Sequence, residues 1–496
     1  MVLALVLAIA PAGCHGGAAI PPATLPAAAR VAPHGAASIV VEPSKVGAPV
    51  SKLVMGANMA TWYDVTQPGL TPAFKTSGMT ATRWPGGSES DNFHWKTNSL
   101  GPGSCSGGYV NPNSTFGNFI DDIAHAARLD VAITVNYGSN PPCTAGADPA
   151  EAAGWVDYAN RTKHLGVQWW SVGNEQYGFW ETDLHSKPHD PGQYAANVAS
   201  GFYPKMKAAS PTPIHVCVDV DPNTAGWDAT VLAQAKYDCV ELHYYPQGTT
   251  VNDAFLIRKA APLLSAYLAA LKAELKAAGR AKTPIYVGEI GSTYGTPGKQ
   301  TMSITQALYA GQVLGELLEA GVTRATWWLG YGGCNAKDGG GDFSKTLYGW
   351  QDFGGFMIFS DGTVEDGCST TDVPRGTPLP TARAFQVASH FVRDGEHVLG
   401  LVKTSLPDVR AYASTYAGGY ALLLINLNEN AAVDVPVKIA GKTSGEGGSI
   451  VVYDKARYDA SRRNVWKAPS AAKLGAWSGG FTVTLPPWSI AAVQTK

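Results

Sequence analysis

The chain has 496 residues, with 37 Lys plus Arg against 39 Asp plus Glu and a formal net charge of −2. That balance supplies no basic field, so neither nucleic acid nor an anionic membrane surface is an expected partner. With 15% charged and 45% hydrophobic residues the composition is globular, and the length predicts two domains around a large core.

Residues 1–13, M-V-L-A-L-V-L-A-I-A-P-A-G, are apolar but too short to span a bilayer, and they read as the hydrophobic part of an export signal. Cys14 follows Pro-Ala-Gly in a degenerate version of a bacterial lipobox, where it would carry lipid. Residues 15–36 are rich in Ala, Pro and Gly and read as a tether. The expected protein is therefore exported: secreted, periplasmic, or anchored through Cys14, without a transmembrane helix.

The first strand, S-I-V-V-E-P at 38–43, stands apart from the regular pattern of the next 300 residues and is expected to join a distant sheet. Strands then recur at 52–58, 79–84, 131–136, 167–174, 214–220, 239–243, 285–289 and 324–329, as short apolar runs rich in β-branched and aromatic residues. Helical periodicity falls between them, at 116–129, 150–164, 194–208, 254–278 and 304–320, and again at 380–392. Eight strands alternating with helices over roughly 300 residues predict a (β/α)8 TIM barrel. From about residue 397 the pattern changes to short strands between Gly, Asn and Ser turns, which predicts an all-β sandwich. The expected domains are a leader and tether at 1–36, an N-terminal strand of the sandwich at 37–49, the barrel at 50–394 and the sandwich at 395–496.

Setting Cys14 aside, six of the seven cysteines remain, an even number in an exported chain. Pairing sequence neighbours gives Cys105–Cys143, Cys217–Cys239 and Cys334–Cys368; buried free thiols are the alternative. No zinc spacing or phosphate loop is present, so no metal or cofactor is called for.

Two strands end in a glutamate: V-G-N-E-Q-Y-G at 172–178 and T-P-I-Y-V-G-E-I-G at 283–291. Barrel enzymes place their chemistry at the carboxyl ends of strands. Either glutamate alone also fits a helix cap. Together, Glu175 and Glu289 supply what glycoside hydrolysis requires, a protonated carboxyl for the leaving oxygen and an ionised one for the anomeric carbon.

The segments R-W-P-G-G-S at 83–88, V-G-N-E-Q-Y-G and V-E-L-H-Y-Y at 240–245 resemble clan A retaining glycoside hydrolases, most nearly the family 51 α-L-arabinofuranosidases. The resemblance implies that Glu175 is the acid/base, Glu289 the nucleophile and a carbohydrate the substrate. It implies that Asn174 donates to the sugar 2-hydroxyl, that Ser88 contacts sugar, that Tyr245 holds the nucleophile and that His243 lines the cleft. Arg83 fits either a partner that keeps Glu289 ionised or a structural barrel ion pair. Trp327 and Trp328 end the eighth strand, so one faces the cleft and the other the core; the pattern does not choose, and Trp328 is carried as the candidate. Two positions depart from the family. Ala60, in G-A-N-M-A, stands where a sugar-contacting Glu is usual, and V-G-E-I-G replaces the usual segment around the nucleophile. Both touch sugar specificity, so activity on β-glucan, xylan or glucuronide chains is an open alternative, as is a non-catalytic carbohydrate-binding protein.

Overall fold

The computed structural model describes residues 39–102, 105, 108–295, 298–334, 336–337, 353–364, 373–403, 406–461 and 466–496. Eight strands close a parallel barrel in the ring order Gly56–Asn58, Ala81–Trp84, Asp130–Val135, Trp169–Val172, His215–Asp219, Cys239–Tyr244, Ile285–Ile290 and Arg324–Trp327. The eighth returns to the first through Thr326 opposite Gly56 and Trp327 opposite Ala57. The fourth, sixth and seventh strands are buried along their whole length. That double burial is why the fourth and seventh read as largely apolar runs, while the sixth carries Glu241 and His243 at alternate positions.

Capping side chains start several of the helices on the barrel's outside. Thr115 accepts from the Asn118 amide, Asp148 precedes Pro149 and accepts from Ala150, and Asp190 precedes Pro191 and accepts from Gln193. Several of these helices, including the one that begins at Phe116, widen into π turns after their first residues. Two helices of the barrel region have no counterpart in the sequence reading, Leu70–Ser77 and Trp227–Gln234. Each begins after a left-handed glycine, Gly69 or Gly226, with no side-chain cap to announce it. The segment Asp253–Ala277 is long and apolar enough to cross a bilayer by composition, which qualifies the expectation of no spanning helix. In this fold it is a barrel helix that buries Leu264, Leu268, Leu271 and Leu275 along one stripe.

The glycine-rich loop after the eighth strand contains Tyr331–Cys334 and Phe359–Val364, paired in parallel. Trp350 and Cys368 lie outside the described residues, as do Cys14 and the whole 1–36 segment. The expected pairing of Cys334 with Cys368 therefore lies outside the described residues as well. The other two pairs form disulfides: Cys105–Cys143, and Cys217–Cys239, which joins the fifth and sixth barrel strands where the two residues sit side by side.

The all-β part is built on one nine-stranded sheet, with Ser444–Gly445 and Trp477–Ser478 paired separately. Ile39–Pro49 lies within it, antiparallel to His397–Lys403 and parallel to Val433–Ile439. The sheet curls until the edge strand Phe481–Leu485 approaches Gly419–Asn426, so the sandwich is made by one sheet closing on itself. The strand Gly419–Asn426 is apolar on both faces. Leu422 and Leu424 pack inside the curl, and Leu423 and Ile425 pack into the core shared with the barrel helices.

Candidate active site

The fourth strand ends in Gly173, Asn174 and Glu175. Glu175 has φ +47, a left-handed backbone that a residue with a Cβ adopts at a cost of about 1–2 kcal/mol. Neighbours hold it there. The Asn174 amide donates to both oxygens of Asp91 at 3.2 Å, the Gln176 amide to Asp219 at 3.1 Å, and the Gly178 amide to the Glu175 carbonyl at 2.6 Å. The bend turns the Glu175 carboxyl to the barrel mouth. Its Oε1 lies 2.7 Å from His243 Nδ1, and its Oε2 accepts from the Trp180 indole at 2.8 Å.

Burial opposes charge on Glu175, but the hydrogen bond and charge of His243, with Trp180 and Tyr177, hold it below the usual carboxylate range. Burial likewise opposes charge on His243. The negative charge of Glu289 and the bonds to Glu175 and Glu241 outweigh it and push the imidazole up to about 10. At neutral pH the pair is thus an imidazolium beside a carboxylate, sharing one proton.

Glu289 ends the seventh strand. Its Oε1 accepts from Arg83 Nη1 at 2.9 Å and its Oε2 from the Tyr245 hydroxyl at 2.7 Å. Burial and the charge of Glu289 raise the Tyr245 phenol well above its ordinary range, so it stays a donor. Arg83 is wholly buried, and both of its terminal nitrogens are hydrogen-bonded. Nη1 also donates to Asn58 at 3.0 Å and Nη2 to Asn174 Oδ1 at 2.8 Å; Nε lies 3.0 Å from Glu241 Oε1, at an angle outside a good hydrogen bond. Its partners Glu241 and Glu289 outweigh the burial that opposes its charge.

Further carboxyls surround this centre, and the sequence reading did not single them out. Glu241 accepts from Ser171 and lies 3.4 Å from His243 Nε2. Glu181 accepts from Ser88 and from Asn174 Nδ2, both at 2.9 Å. Burial, then the charges of Glu175 and Glu289, raise Glu181 well above the carboxylate range, and burial with the charge of Glu241 raises Asp219 to about 8. The spacing of Glu241 and His243, two apart in one strand, was a usable signal, since it puts both on the face that carries Tyr245. For Glu181, in an irregular loop, there was no such signal.

A cavity of about 730 Å³ opens over the two strand-end glutamates. Of the residues singled out from sequence, Ser88, Asn174, Glu175, Tyr245, Glu289 and Trp328 line it. Arg83 and His243 are instead buried behind the carboxyls, touching them and not bordering the cavity. Trp327 faces the core against Tyr309 and Phe385, and Trp328 faces the cavity. Ala60 is fully buried and brings no polar side-chain atom to the site. The rim carries Phe179, Trp180 and Tyr294, 85%, 56% and 69% exposed, a surface suited to the apolar faces of sugars. Glu175, His243 and Glu289 place one ligand-type atom each within 4.8 Å of one another, but these atoms already bond among themselves, to Trp180, Arg83 and Tyr245.

No protein-family model matches the sequence, and no curated protein matches it significantly. Solved structures do match the fold. The α-L-arabinofuranosidase of Thermotoga maritima, solved with arabinose, is 17% identical with a TM-score of 0.70, over 92% of this chain and 99% of that one. The family 51 arabinofuranosidase of Xanthomonas axonopodis pv. citri is 18% identical with a TM-score of 0.68, over 92% and 99%. A family 44 xyloglucanase of Paenibacillus polymyxa is 14% identical with a TM-score of 0.62, over the same shares. The chain thus has the architecture that these glycoside hydrolases share, a closed eight-stranded barrel joined to an all-β domain, along nearly its whole described length.

Proposed function

We propose that the chain is a retaining glycoside hydrolase acting on plant-type oligo- or polysaccharides, with arabinofuranosides as the leading substrate class. The observation that carries this reading is the approach of Glu175 and Glu289 within 4.8 Å at one cavity. Retaining enzymes hold their carboxyls about 5–5.5 Å apart, and inverting ones about 6.5–9.5 Å apart to admit a water. The architecture shared with arabinofuranosidases adds support.

In this reading a Glu289 oxygen bonds to the anomeric carbon as the glycosidic C–O bond breaks. The leaving oxygen takes a proton from Glu175, which draws on the proton shared with His243. Forming the ester removes the charge of Glu289, which helps to hold that proton on the imidazole, so the pair gives it up more readily as the bond forms. Water then attacks the ester, Glu175 receives its proton, and Glu289 leaves as a carboxylate. Arg83 and Tyr245 orient the nucleophile. The disulfides Cys105–Cys143 and Cys217–Cys239 support export to an oxidising compartment.

The test is release of nitrophenol from a panel of aryl arabinofuranosides, xylosides, glucosides and glucuronides by wild type, E175A and E289A, each with and without azide. The expected result is turnover by wild type and loss in both variants. Azide then yields a glycosyl azide of retained configuration with E175A and of inverted configuration with E289A. Wild-type turnover by E289A would overturn the nucleophile assignment. Sugar binding with no turnover of anything would favour a carbohydrate-binding protein.

A further inference from the structure

A second cavity, of about 310 Å³, opens beside the first, and Trp62 lines both. Trp62, Tyr63, Asp64, Gln67, Tyr109 and Asp361 are among the residues that surround it. We propose that this cavity binds further sugars of the same glycan on the glycone side of the cleaved bond, making the enzyme endo-acting. The inference rests on the glycosidase reading and adds where the chain lies.

Three observations carry it. The first is continuity. The ring of Trp62 stands 5.9 Å from that of Trp328 in the first cavity and 5.9 Å from that of Tyr63 in the second. Trp62 thus joins the two cavities, in contact with a ring of each and tilted 63° to Trp328 and 52° to Tyr63. The second is chemistry. Aromatic rings beside carboxylates and amides match the apolar face and hydroxyl rim of a sugar. Asp361 and Asp64 accept hydrogen bonds from Thr363 and Thr66, Asn113 donates to Asp64, and Gln67 Oε1 is buried without a hydrogen-bond partner. The third is direction. Glu175 protonates the leaving oxygen, so the leaving group lies on the fourth-strand side, under Phe179 and Trp180. Trp62 follows the first strand and Trp328 the eighth, and in the ring order the eighth strand stands diametrically opposite the fourth. A cavity reached past Trp328 and Trp62 therefore extends the glycone. An exo-acting pocket ends at a single sugar; this one continues.

The experiment compares kcat/KM on the best aryl monoglycoside with linear arabino-, xylo- and gluco-oligosaccharides from disaccharide to hexasaccharide, for wild type, Y63A and Y109A. Tyr109 is 57% exposed, so Y109A keeps the test open if Y63A folds poorly. Wild type is expected to gain about tenfold or more with chain length, a step worth one good stacking contact, and to release internal oligosaccharides. The variants should lose about that factor on long chains and keep wild-type turnover of the aryl monoglycoside. Release of monosaccharide only, with no dependence on length, overturns the inference and leaves the glycosidase reading standing. Equal losses on short and long substrates also overturn it. Failure of wild type on both aryl and oligosaccharide substrates removes the reading beneath it.

Discussion

His243 governs how the acid/base of the proposed reaction is loaded. A general acid must carry a proton at working pH, yet Glu175 sits below the usual carboxylate range beside an imidazolium. The proton is held by the pair, 2.7 Å across, and not by the carboxyl alone. His243 is raised above its ordinary value, so the pair keeps its proton until pH rises through about 10. The alkaline limb of kcat/KM, which reports the free enzyme, is expected near that value. In H243Q the proton must sit on Glu175 itself, without an imidazolium to store it, and the limb should move acidward by more than a unit. A limb that stays in place in H243Q sinks the shared-proton account. The two glutamates were legible because each follows an apolar run with only one or two residues between and so lands at a strand's carboxyl end. The histidine's part was not, because H-x-Y says which face His243 occupies and nothing of the charges that surround it.

In the proposed reaction the seventh strand depends on Gly288, the residue before Glu289. A Cβ at Gly288 would meet Glu241 Oε1 at 1.7 Å, so the side chain of Glu241 crosses the strand where no side chain stands. From there Glu241 holds Arg83 Nε and His243, and Arg83 in turn holds Glu289. The Gly in V-G-E is thus a packing requirement passed from the sixth strand to the seventh. G288A is expected to fold, to cost about 1–3 kcal/mol of stability by overpacking, and to lower kcat by at least about tenfold as Arg83 shifts. Urea unfolding and steady-state kinetics on one preparation read both; unchanged kcat in a stably folded G288A would show that Glu241 plays no part in placing the nucleophile. At this scale the barrel strands were readable, since burial on both faces leaves short, largely apolar segments at regular intervals. The helices Leu70–Ser77 and Trp227–Gln234 were not, since each opens on a left-handed glycine where a capping side chain would otherwise mark the start. The curl of the nine-stranded sheet was also beyond a local pattern. The place of Ile39–Pro49 in that distant sheet was legible, because the strand stands apart from the barrel pattern.

Across the whole molecule, that sheet is part of the barrel's own core. Leu423, Ile425, Ile490 and Tyr453 cluster with Leu308, Val313 and Phe385 from the barrel helices. The contact is closest at Gly315, in the helix Ile304–Glu319. A Cβ there would lie 2.4 Å from the ring of Tyr412, whose hydroxyl donates to Glu316 at 2.8 Å. Farther out, Arg258 pairs with Asp408 at 2.7 Å and Gln494 donates to the His390 carbonyl at 2.6 Å. A polar, hydrated seam would let the two parts unfold separately. This one is apolar at its centre and packed ring against backbone, so they are expected to unfold together. Loss of activity, which follows the barrel, and loss of the sheet's far-ultraviolet signal should coincide in urea for wild type. G315A forces a methyl into the Tyr412 ring and should lower stability by about 1–3 kcal/mol, moving both signals by the same amount. Two separate transitions in wild type, or a G315A shift confined to one probe, would mean that the sheet is an appendage. Coincident shifts would make it a structural wall of the barrel, and would explain why the first strand of the described chain is spent on the sheet and not on the barrel.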